Sequence, residues 1–131
     1  MKNGIFHITE DKMEQLKNEF DNKTFLVELD GSQIAALNDY FCVMSKKCCF
    51  PRKSNMWSTY NDWMMDFSWI DKDMNIVIVI YNYDLFMKLD ISSKAEILRG
   101  FKEDYIPWWE NDVVNHMVDG VPKKFTVYLV D

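Results

Sequence analysis

The sequence is poor in glycine and proline, with four and three among 131 residues. That leaves little material for flexible linkers, so a single domain over residues 1–131 is expected. Cysteine is equally scarce. Cys42, Cys48 and Cys49 make an odd set, and the adjacent pair is poorly placed to bridge itself. A disulfide framework is not expected, and reduced thiols in a cytoplasmic protein are the simplest reading. Positive charge is outweighed, with 15 Lys and Arg against 21 Asp and Glu and a net charge of −6. Phosphate recognition draws on clustered Lys and Arg, so no direct nucleic-acid partner is expected, and an acidic surface suits a basic protein instead. Long apolar runs are lacking too. The longest, Ile76 to Tyr81, is far too short to span a bilayer, and the opening MKNGIFHITEDKMEQ has no apolar core of signal-peptide length. Neither a membrane partner nor export is expected.

Catalytic groupings are missing as well. The two histidines, His7 and His116, stand in no recognisable motif, and there is no Gly-rich phosphate loop. The spacing of Cys42, Cys48 and Cys49 fits no paired zinc-ligand pattern, and a cysteine near a helix end is more often a small buried hydrophobe. The sequence therefore points to no enzyme, no metal and no cofactor.

What is present is an alternation of strands and helices. Thr24–Leu29, Asn75–Tyr81 and Phe125–Val130 are rich in β-branched and aromatic residues. The IVIVI run at 76–80 lacks polar alternation, as a strand covered on both faces would. Intervening segments of roughly 45 and 43 residues permit parallel crossovers. The expectation is an α/β domain with a three-stranded parallel sheet, Ile76 to Ile80 at its centre and helices packed on its faces.

Asp30 and Gly31 form a turn, followed by a helix through Ile34, Leu37, Tyr40, Phe41 and Met44 to about Lys47. Asp84 to Leu89 reads as a short helix. Ser92 or Ser93 caps a longer one, broken or kinked at Pro107. A last helical piece runs to about Val118 and ends at Gly120 and Pro122. Residues 1–22 read as an amphipathic N-terminal helix carrying Met13, Leu16 and Phe20. Of the adjacent Trp108 and Trp109, only one can point inward on a helix, and packing beneath residues 1–22 is the favoured reading over a recognition surface.

The stretch NMWSTYNDWMMDFSW, residues 55–69, mixes aromatics with carboxylates and contains no Lys or Arg. With Asn55 as N-cap, Trp57, Tyr60, Met64 and Phe67 recur at helical spacing and form a buried stripe. Helical geometry then turns Ser58, Asn61, Asp62, Met65 and Asp66 outward. Taken alone, such a charge pattern is most simply a solvated face.

These residues also resemble a family. Phe50 and Pro51 before a short loop, then Trp57, Asn61, Asp62, Asp66, Ser68 and Trp69, with Phe67 and Ile70 as conservative replacements, are similar to the signature helix of the barstar family, intracellular protein inhibitors of secreted ribonucleases. The likeness extends from Phe25 to Leu129. It covers the D-G turn after the first strand, the FP loop, the IVIV strand followed by Y-N-Y-D-L-F, and the final F-T-V-Y-L strand.

The resemblance implies a barstar-like fold and a partner that is a basic protein toxin, most simply a ribonuclease. It further implies that Asp62 stands in for a substrate phosphate against that enzyme's cations. Asn61 and Met65 occupy flanking contact positions, and Asn55, Ser58 and Asp66 complete the expected surface. Asp119 lies near a second acidic contact of the family. Two departures bear on the target. Ser58 replaces a family Asp, and the FPRKSN loop lacks the family Gly and Tyr and carries Arg52 and Lys53, so a nuclease other than barstar's own is implied. A non-inhibitory interaction or adaptor module on the same fold is the alternative, because fold alone does not fix function.

Overall fold

The computed structural model of the protein describes residues 2–117 and 119–131. The expected helix end at Val118 lies outside the described residues. The elements run β1 (Gly4–Ile8), α1 (Glu10–Lys17), β2 (Thr24–Asp30), α2 (Leu37–Lys47), α3 (Trp57–Met64), β3 (Asn75–Tyr81), α4 (Ile91–Arg99), α5 (Val113–His116) and β4 (Phe125–Val130). The strands form one parallel sheet in the order β1-β4-β3-β2. The fold is thus α/β with a parallel sheet and helices, and none of the described helices is long and apolar enough to cross a membrane.

The sheet has four strands where three were expected, and the N-terminal segment is a strand followed by a short helix where one helix was expected. The physical reason lies in β4, which is buried at all six positions. A strand so enclosed needs a hydrogen-bonding neighbour on both sides. The GIFHI segment supplies the second one, in register from Gly4 opposite Thr126 to Ile8 opposite Val130. Asn3 and Lys2 extend the pairing, since Asn3 Oδ1 accepts from Phe125 N–H (2.9 Å) and the Lys2 carbonyl from the Thr126 hydroxyl (2.6 Å).

Alternate residues of the strands build two cores. Ile76, Ile78 and Ile80 of β3 face one side with Phe125, Val127 and Leu129 of β4, under α2, α3 and α4. Val77 and Val79 face the other with Tyr128 and Val130, where Met13, Leu16 and Phe20 of the N-terminal region cover them. The apolar stripe read for residues 1–22 was right in its members, although the helix carrying it begins only at Glu10.

Pro107 does not break the chain's helical path. From Ile91 to His116 the helix continues through two π-helical stretches, Gly100–Tyr105 and Trp108–Asp112. A wider turn accommodates a ring that would otherwise clash with the carbonyl of the preceding turn. The α4 cap is Asp90, whose carboxylate accepts from Ser93 N–H at 3.1 Å, so Ser92 and Ser93 lie inside the helix.

On the thinly covered face, the Glu28 carboxylate accepts from Lys17 Nζ and from the Tyr81 hydroxyl, both at 2.8 Å. Burial pushes the Glu28 carboxyl upward, but the Lys17 and Tyr81 hydrogen bonds outweigh it and hold the group below its ordinary range. A depressed native pKa means that the unfolded chain binds the proton first as pH falls. The stabilisation is therefore present above the ordinary carboxylate value and lost on acidification. With both side chains about a third exposed, solvent screening keeps it below about 1 kcal/mol. Glu28→Gln should flatten the acid limb of the stability profile in denaturant titrations between roughly pH 6 and pH 3. An unchanged slope would remove this pair from the acid response.

Candidate functional site

The site begins with a loop fastened to α2. Ser54 is 1% exposed. Its N–H donates to Ser45 Oγ at 2.9 Å, its hydroxyl donates to the Met56 carbonyl, and Ser45 in turn bonds the Phe41 carbonyl. That clip sets where α3 starts. The N-cap residue is Met56, without a side-chain cap bond, so Asn55 stands exposed outside the helix and does not cap it.

Below α3 lies a bed of rings. Tyr60 and Met64 are fully buried and Phe67 is 1% exposed, as the stripe predicted, whereas Trp57 at the first turn is only half-buried. The Tyr40 and Tyr60 hydroxyls share a hydrogen bond of 2.5 Å, and desolvation holds both phenols far above their ordinary titration range. Trp109 closes the other end, its indole N–H donating to the Met64 carbonyl at 2.9 Å. That bond satisfies an acceptor at the helix C-terminus, where orphan carbonyls collect. Trp109 therefore packs under α3 beside Phe67, and the expected cover from residues 1–22 lies on the opposite face of the sheet.

Helix α3 ends at Met64, one turn earlier than the expected stripe. Met65 is the C-cap, and Phe67 takes a left-handed φ of 47° that drives its ring inward. Asp62 and Asp66 are consequently not one turn apart on a continuous helix. Five of the seven candidate residues fall into two groups. Ser58 and Asp62 are exposed one turn apart on α3, and Asn55 is exposed just ahead of the helix. Asp66 is half-buried and lines a cleft with exposed Asp119. Between the groups, Met65 is half-buried against the core. Asn61 is half-buried too, because Tyr105 from the π-helical stretch donates its hydroxyl to Asn61 Oδ1. The side-chain amide nitrogen is then the end of Asn61 left for a partner.

Asp62 takes part in none of the ion pairs among the described residues. Its carboxylate projects from a helix held at both ends by buried hydrogen bonds. A charge so placed loses little conformational freedom on meeting a cation, which is the condition for a rigid electrostatic contact.

Several residues that shape the site carry no local signal. Tyr105 and Lys123 act through partners 44 to 52 positions away, and Ser54 through Ser45, nine positions back on α2. Lys123 is 6% exposed, and its ammonium donates to the carbonyls of Asp71 (3.2 Å), Lys72 (2.8 Å) and Met74 (3.2 Å). Burial lowers the Lys123 pKa, against the pull of Asp73 and Asp71. Among the described residues no three His, Cys, Asp or Glu side chains gather as a metal site requires. All three cysteines are free, Cys42 and Cys49 exposed and Cys48 buried. Comparison with family models, with curated proteins and with solved structures finds no match to this chain.

Proposed function

We propose that the protein is a cytoplasmic inhibitor, of the immunity type, that binds a basic toxin nuclease through the α3 face, with a ribonuclease as the first choice of target. The observation that carries this reading is the unpaired, exposed carboxylate of Asp62 on a helix whose inner side is locked by Tyr60, Met64 and Trp109. A nuclease concentrates positive charge to bind phosphate, so a fixed carboxylate of an acidic protein can occupy that charge in the substrate's place. The sequence resemblance to the barstar family supports the same role and, with the parallel α/β sheet, a barstar-like arrangement.

Ser58, one turn before Asp62, and Asn55, ahead of the helix, add exposed polar groups, and Asn61 supplies its free amide nitrogen beside Asp62. Exposed Arg52 and Lys53 in the preceding loop place positive charge near this face, which selects against targets whose rim is cationic there.

The test is titration of basic ribonucleases, any encoded beside this gene first, against wild type and Asp62→Ala, at low and high salt. Asp62→Ala should weaken binding by about 2 kcal/mol or more, chiefly through the off-rate, and leave thermal stability unchanged. Equal affinities would take Asp62 out of the mechanism. Binding without any loss of nuclease activity would favour the adaptor module instead.

A further inference from the structure

An open cleft of about 160 Å³ lies beside the C-terminal end of α3, lined from residues 66–72, 109–117 and 119–123. Its floor is apolar, made by Phe67, Trp109 and Val113, each no more than 3% exposed. Met117 and Val121 stand on its rim at 44% and 39% exposure. Apolar side chains left half open in this way favour an occupant with an aliphatic or flat body.

Charge decides what kind of body. Asp66 and Asp119 share the cleft lining, and neither takes part in any ion pair among the described residues. Two lysines also line it, but they do not serve these carboxylates. The Lys123 ammonium is held by three backbone carbonyls, and the charges acting on it are those of Asp73 and Asp71. Lys72 lends its carbonyl to that cage and is itself exposed between Asp71 and Asp73. The unmet demand is for a cation with an apolar stem.

We propose that this cleft is an arginine subsite. The aliphatic stem lies on Trp109 and Val113, and the guanidinium reaches the carboxylates of Asp66 and Asp119. Arginine fits better than lysine because its planar fork bonds carboxylates in pairs, stacks on aromatic faces and is weakly hydrated. The arginine comes from the basic protein of the preceding section, and that source rests on the inhibitor reading. The cleft then forms a second point of attachment, separate from Ser58 and Asp62 on α3.

The first arm of the test uses small probes on the intact protein. N-acetyl-L-arginine amide, its lysine counterpart and its neutral citrulline counterpart are titrated while the Trp109 indole and the Asp66 and Asp119 amide resonances are followed. Arginine should shift all three saturably, and citrulline should bind at least about tenfold more weakly. Asp66→Asn with Asp119→Asn should cost arginine a similar factor, whereas Asp11→Asn, in exposed α1 on the opposite face of the sheet, should change nothing. Asparagine tolerates the positive φ of residue 119, so the double variant keeps the loop's backbone. No saturable shift, equal binding of citrulline, or indifference to the double variant overturns the proposal.

The second arm uses a basic ribonuclease that the wild-type protein is found to bind, or, if none is bound, the same panel of basic ribonucleases. The double variant should bind it at least about tenfold more weakly than wild type. If Asp62→Ala loses affinity and the double variant does not, the inhibitor reading stands and the arginine subsite falls. If arginine binds the cleft as described and no ribonuclease of the panel is bound, the inhibitor reading falls and the subsite remains.

Discussion

Replacing Phe67 with Ala should destabilise the protein by about 3 to 5 kcal/mol, the cost of deleting a fully buried ring. Phe67 packs against Trp69, Phe25 and Trp109 at centroid distances of 5.2, 6.3 and 6.3 Å. No neighbour can move in readily, because these rings are themselves held from both sides. The backbone adds a second expectation. A residue with a Cβ at φ of 47° bears roughly 1 to 2 kcal/mol of strain that glycine escapes. Phe67→Gly should therefore be more stable than Phe67→Ala by about 1 kcal/mol, the reverse of the order seen in a helix interior. Urea unfolding followed by tryptophan fluorescence measures both. A loss under about 1 kcal/mol for the Ala variant, or a Gly variant less stable than it, would mean that this turn does not anchor the core as described.

The second large effect is expected at Lys123. Lys123→Met keeps most of the stem but removes all three donors from the carbonyls of Asp71, Lys72 and Met74. Bonds from a charged donor are worth about 1.5 to 3 kcal/mol each, and water recovers part of what is lost, so a net cost near 3 kcal/mol is expected. The ammonium also lies 5.6 Å from the centre of the Trp109 ring, a contact methionine replaces only in part. Lys124→Met is the control. Lys124 is exposed, and the change there should stay within about 0.5 kcal/mol. Similar effects for the two variants in the same denaturation experiment would show that the carbonyl cage carries no weight.

Much of the fold was legible because its strands are apolar runs without helical period. Asn75–Tyr81 and Phe125–Val130 were read with the bounds the structure gives, and Thr24–Leu29 gains only Asp30. The first strand was not, since five residues containing Gly4 and His7 precede an amphipathic stripe that draws the eye to a helix. Its pairing depends on residues 126–130, and no local pattern encodes that. The end of α3 was misplaced for a related reason. Helical spacing continues through Phe67 in the sequence, while in space the buried position is reached by a left-handed turn.

The candidate site was legible as composition and less so as geometry. Asp62 stands outward as the stripe required. Asn61 does not, because Tyr105 lies 44 positions away in the chain and its hydroxyl claims the amide oxygen. The sharing of one cleft by Asp66 and Asp119 was equally hidden, since the segment before β4 has no pattern that fixes its path. Lys123 belongs to a Lys-Lys doublet ahead of a strand, which reads as solvated, and only the three carbonyls show that one of the two is structural.

The strand order has a consequence for how the chain is made. β4 is the last of the four strands to be synthesised, yet it lies between β1 and β3. Until residues 125–130 have left the ribosome, the first strand has nothing to pair with, and β3 presents an open edge along Ile76–Tyr81. Nascent chains stalled before residue 125 should then hold β2 and β3 together at most, with GIFHI and NIVIVIY exposed as sticky segments. Completing this sheet requires β4 to insert between two waiting edges, and pairing across so many residues is expected to be slow relative to helix formation.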